Sequence, residues 1–96
     1  MPFEQLDRFK VHCKPLLARP NKVHIEADHV APDAKPKPLG ERGDAAIEET
    51  VQRLVKAREA GASRMLAFGA HSIKNGLAPV FAKLIEDGWI THLATN

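Results

Sequence analysis

The sequence predicts an α/β fold, a Rossmann-like parallel sheet with flanking helices, laid out as αβαβ over residues 44–96. Three observations carry this expectation. A short run, Met65-Leu66-Ala67-Phe68, is apolar on both faces, as in a strand buried in a parallel sheet with helices above and below. Leu77, Val80, Phe81, Leu84 and Ile85 then recur at the spacing that lines one side of a helix. A second apolar run, Trp89 to Ala94, follows directly after Gly88. Strand, crossover helix and strand make a βαβ unit, whose ligand end lies outside the carboxyl ends of the strands.

In chain order, residues 1–43 read as an N-terminal arm and 44–96 as a partial α/β domain. Phe3, Leu6 and Phe9 among charges predict a short helix over Phe3 to Lys10, after which Pro15 and Pro20 break the chain. Lys22 to Asp28 alternates Val23, Ile25 and Ala27 against His24, Glu26 and Asp28, the period-2 pattern of a half-buried strand. Prolines 32, 36 and 38 with glycines 40 and 43 predict an extended, exposed linker. Asp44 is the expected cap of a helix whose stripe is Ile47, Val51, Leu54 and Val55 and which Gly61 ends. Glu49 and Arg53 stand at i, i+4 in the favoured order. Gly88 is the expected left-handed residue closing the second helix.

Composition bounds the function. The chain has 96 residues, a formal charge of +2 and 44% hydrophobic residues, an ordinary globular make-up for one small domain. Nucleic acid is not an expected partner, because there is no clustered Lys/Arg face and Tyr is absent. No apolar run is long enough for a membrane span, and Met1 to Lys10 lacks the apolar centre of a signal peptide. Cys13 is the single cysteine, so no internal disulfide forms, and a soluble cytoplasmic protein is expected.

Chemistry is expected in the segment Gly69 to Gly76, GAHSIKNG, where a strand meets a helix N-terminus. Free backbone amides and the helix dipole favour an anion there. Lys74 adds a cationic head, and Ser72 and Asn75 add hydroxyl and amide groups. The glycine spacing fits neither a dinucleotide fingerprint nor a P-loop, and a plain loop with Asn75 capping the helix explains it equally well. His71 stands where a helix N-terminus favours neutral imidazole, or else is an exposed loop histidine. His24, Glu26, Asp28 and His29 are the residue types of a metal site, but a solvated strand face accounts for them without a fourth ligand, and no metal is expected. The end of the second strand, Thr95-Asn96, falls on the same sheet edge as Gly69 to Gly76.

The segment MLAFGAHSIKNGLAPVFAKLIEDGWITHLATN resembles the deoxyhypusine synthase family, and most of all its bacterial deoxyhypusine synthase-like members, whose stretch is similar to GAH-x-IKNGL-x-P followed by THLATN. The resemblance spans about residues 41 to 96. It implies an NAD-dependent transferase, a homo-oligomer (dimer or tetramer), that oxidises a small-molecule amine and passes an aminobutyl group through an enzyme lysine. On that resemblance, Gly69, Ala70, His71, Ser72, Lys74 and Asn75 match the first cofactor-contacting loop, and Thr95 and Asn96 the start of the second. Where the eukaryotic members carry Ser-Asn and Ser-Ser pairs, this chain has Ala70-His71 and Lys74-Asn75. The nucleophilic lysine of the family has no counterpart here, so no catalytic residue is assigned, and the sequence reads as an N-terminal fragment inactive by itself. The alternative is a small non-catalytic α/β module that assembles through an exposed sheet edge.

Overall fold

The two apolar runs pair with each other. In a computed structural model, which describes residues 2–96, strand β1 (Met65–Phe68) lies parallel to strand β2 (His92–Thr95). The register is Met65 to His92, Leu66 to Leu93, Ala67 to Ala94 and Phe68 to Thr95. Parallel strands cannot be joined by a tight hairpin. The connection here is a pair of helices, α3 (Ala70–Lys74) and α4 (Ala78–Glu86). Before β1 runs the long helix α2 (Glu41–Glu59), preceded by a single helical turn, α1 (Ile25–Asp28), and by two 3-10 turns at Arg8–Lys10 and Leu16–Ala18. The chain is therefore mixed helix and strand, and its second half runs α2-β1-α3-α4-β2, with two helices in the crossover where αβαβ expects one.

Local chemistry accounts for the helix ends. Helix α2 starts three residues earlier than the expected Asp44 cap. Gly40, at φ 84, turns the chain into it, and the Asp44 amide donates to the Gly40 carbonyl at 2.9 Å. Glu41 and Asp44 stand in its first turn and Lys56 and Arg58 in its last, the charge order the helix dipole favours. The Glu49–Arg53 pair forms on its exposed side. Helix α4 carries proline in its first turn, where the missing amide is no loss. Gly61 and Gly88 follow α2 and α4 with positive φ, as expected.

Other expectations fail for physical reasons. Strand β1 is covered on one side only: Leu66 and Phe68 are half-buried, whereas Met65 and Ala67 are exposed. Phe68 rests against Phe81 of α4, with ring centroids 5.0 Å apart, and among the described residues the sheet has two strands only. Strand β2 starts at His92 rather than Trp89. The amides of Trp89 and Ile90 both turn back to the Leu84 carbonyl, at 2.8 and 3.3 Å, so these residues belong to the end of α4. In the arm, the expected helix Phe3 to Lys10 shrinks to its last three residues, capped by the Asp7 carboxylate accepting from the Phe9 amide. A segment this short, with nothing to pack its apolar side, does not sustain a helix. The expected strand at Lys22 to Asp28 is absent as well. No neighbour offers it a ladder, and the Asp28 carboxylate accepts from the His24 amide at 2.7 Å, closing the turn α1 locally.

The element that ties the domain together is Arg64. Its Nε donates to the Trp89 carbonyl at 2.9 Å, Nη1 to Ala62 at 2.6 Å and Nη2 to Gly88 at 3.2 Å. One guanidinium thus joins the C-terminal ends of α2 and α4, where unpaired carbonyls and the dipoles favour a cation. Its backbone is held too, since the Arg64 amide donates to Thr91 Oγ1 at 2.8 Å and its carbonyl accepts from the Thr91 amide at 2.9 Å. Among the described residues no hydrophobic side chain is fully buried, and Gly76 is the one buried residue.

Candidate functional site

Parallel pairing decides where the two expected loop segments meet. Because Phe68 is opposite Thr95, the residues that follow, Gly69 and Asn96, emerge side by side from the same end of the sheet. A Cβ at Gly69 would meet Asn96 Oδ1, at 4.0 Å, and nothing closer. Gly69 is extended, at φ −116 and ψ −175, so its lack of a side chain serves open space rather than backbone strain.

The polar segment after Gly69 is not the loop expected. Residues 70–74 form α3, with Gly69 in the cap position, and Asn75 ends that helix instead of starting the next. Leu77 occupies the cap of α4 without a side-chain bond. The anion-friendly amides are therefore those of a five-residue helix, whose dipole is correspondingly small. Ala70, His71, Lys74, Asn75, Thr95 and Asn96 are exposed and Ser72 is half-buried. Thr95 closes strand β2, which leaves Asn96 as the expected residue beyond it.

The fold brings a further group to Lys74. Lys74 lines a cavity of about 450 Å³ together with Arg19, Pro20, Asn21, Lys22 and Val23. Three cations, Arg19, Lys22 and Lys74, border that space and no carboxylate does, so it suits an anion. In the sequence Pro20 reads as a chain break, and nothing there assigns Arg19 and Lys22 to the site. The only signal for them was the local charge, because their nearness to Lys74 depends on how the arm folds back. The arm is held there by the Val30 amide, which donates to the Gly76 carbonyl at 2.9 Å.

The other candidate groups are used structurally. With α1 helical, His24, Glu26 and Asp28 do not share a strand face, and among the described residues no three His, Cys, Asp or Glu side chains are grouped to hold a metal. Thr91 Oγ1 lies 2.8 Å from His92 Nδ1, which resembles a hydroxyl and its base. That hydroxyl also accepts from the Arg64 amide and donates to the Arg64 carbonyl, so it braces the strand start. Lys83 on α4 donates to Asp87 at 3.0 Å, and this bond, aided by the carboxylate's charge, raises the Lys83 pKa. Cys13 is free and exposed on the arm. No helix among the described residues is long and apolar enough to cross a membrane.

The sheet end thus presents an open position at Gly69 beside the Asn96 side chain, and the cavity at Lys74 is bordered by three cations. No family model matches the chain, and no curated protein or solved structure matches it either.

Proposed function

We propose that this chain supplies the first cofactor-contacting edge of a deoxyhypusine synthase-like, NAD-dependent aminobutyl transferase built on a Rossmann-like sheet. The observation that carries the reading is the parallel register, which sets Gly69 beside Asn96 and so brings the two resembling segments, GAHSIKNG and TN, to one sheet edge. Gly69 and Ala70 give the cofactor's backbone a close approach, and His71, Ser72, Asn75, Thr95 and Asn96 supply hydrogen bonds. Lys74, with Arg19 and Lys22 nearby, offsets phosphate charge. When bound there, NAD would supply the hydride acceptor for oxidation of an amine-bearing carbon of the polyamine donor. None of the residues here is assigned the covalent step, which the family gives to a lysine without a counterpart in this stretch. A cytoplasmic location agrees with the free thiol of Cys13 and belongs to the same proposal. Isothermal titration of NAD into the intact protein tests the reading: saturable binding supports it, and no heat of binding sinks it.

A second reading is favoured by one feature of the sheet. Among the described residues the sheet has two strands, so β1 and β2 each leave an unpaired edge, a template for another chain. On that reading the chain is a non-catalytic module that assembles by strand pairing, and sedimentation as a stable monomer would count against it.

A further inference from the structure

Three cations meet at one cavity with no anion to balance them. Arg19 and Lys22 of the arm and Lys74 of α3 border a space of about 450 Å³, within the range of small-molecule sites. Pro20, Asn21 and Val23 complete its lining. The ion pairs among the described residues are Lys10–Asp7, Arg53–Glu49 and Lys83–Asp87, so none of the three cations is paired with a carboxylate. The first carboxylates that follow along the arm, Glu26 and Asp28, do not line the cavity, and Asp28 is turned to the His24 amide. Like charges gathered at one place repel, and an anion between them removes that cost.

This cavity is not the place where Gly69 meets Asn96. Neither residue lines it, and Lys74 ends α3 whereas Gly69 caps its start. Five helical residues rise about 7.5 Å, more than twice the ~3 Å over which a phosphate oxygen accepts a hydrogen bond. One phosphate therefore does not serve both places. A ligand that fills both carries phosphate groups several ångströms apart.

We propose that the cavity holds the 2′-phosphate of a phosphorylated dinucleotide, so that the chain prefers NADP to NAD. The inference rests on the cofactor reading above and deepens it. Dinucleotide folds tell the two cofactors apart by charge: a carboxylate beside the adenosine ribose accepts from its 2′-hydroxyl, whereas an arginine accommodates a 2′-phosphate. Here the cavity offers Arg19 and two lysines, and the end of β2 carries Thr95 and Asn96, whose side chains are uncharged. A guanidinium fork takes two oxygens of a phosphate, and each ammonium adds a point charge. The Asn21 side chain both donates and accepts, and Pro20 and Val23 give an apolar wall for the sugar.

Isothermal titration of the full chain with NAD and with NADP, in a phosphate-free buffer, tests the proposal. NADP binds at least about tenfold more tightly than NAD. Lys22 is exposed and lies outside every helix and strand, so Lys22→Glu keeps the fold and cuts that preference to parity or below. Lys22→Gln lowers it in the same direction by less. Equal affinity for the two cofactors overturns the proposal and leaves the cofactor reading standing, as does a preference for NADP that survives both variants. Binding of neither cofactor sinks that reading and the proposal together.

Discussion

The Val30 amide donates to the Gly76 carbonyl at 2.9 Å, and this one backbone bond pins the N-terminal arm to the turn between α3 and α4. Gly76 permits it twice over. Its φ of +79 is one that residues with a Cβ rarely adopt, and a Cβ there would collide with the Asp28 carbonyl oxygen.

Gly76→Ala is therefore expected to lose about 1–2 kcal/mol from the backbone conformation alone, and to release the arm as well. Urea denaturation reads the first effect. Limited trypsin digestion reads the second, as faster cleavage at Arg19 and Lys22. Unchanged proteolysis would mean that the arm is not held at this turn.

Arg64→Lys is expected to destabilise the domain by about 2 kcal/mol, because an ammonium cannot reach the Ala62, Gly88 and Trp89 carbonyls together as the guanidinium fork does. Thermal melts of Arg64→Lys and Arg64→Met should then resemble each other. A lysine variant as stable as the wild type would show that charge alone, not the fork, joins the two helix ends.

The Lys83–Asp87 pair has a signed pH dependence. Lys83 has its pKa raised above the ordinary 10.5 by bonding to Asp87, so the pair's contribution is complete below that value and is lost as pH climbs through the folded-state pKa. Titration followed by NMR at the Lys83 side chain should give a lower midpoint in Asp87→Asn than in the wild type. From neutral pH up to about pH 9 this pair's contribution should not vary with pH.

What the sequence made legible was local. Glycine punctuation at 61 and 88 and the apolar spacing of α2 and α4 are written within a few residues, so these two helices and the parallel strands beside them were readable, whereas α3 was not. The period-2 pattern of Val23, Ile25 and Ala27 misled, since alternation is only useful to a strand with a neighbour, and Asp28 closes a turn instead. At the candidate edge, Gly69 and Asn96 were readable because parallel strands bring their ends together. Arg19 and Lys22 were not, because they reach Lys74 through a fold-back set by one distant backbone bond. The same holds for Arg64, whose partners lie 24 and 25 residues away.

The cationic cavity gives a graded expectation. Lys74→Gln should weaken NAD binding about tenfold if one charge-assisted phosphate contact is lost, and Arg19→Gln should weaken it less, as the residue lies on the arm. Both effects should shrink at high salt. Equal affinity for all three proteins would remove the cavity from the site.

The most direct measurement is NMR shift mapping of NAD on the isotope-labelled intact protein, wild type and Gly69→Val. Gly69 is extended, and an added Cβ meets only Asn96 Oδ1 at 4.0 Å, so the backbone accepts a side chain there and valine places its methyls in the space a cofactor would enter. The expected result is saturable movement of the Gly69, Ala70, His71 and Asn96 amides in the wild type and its loss in a folded Gly69→Val. Shifts confined to other residues, or the same shifts in Gly69→Val, would contradict a cofactor edge at this end of the sheet.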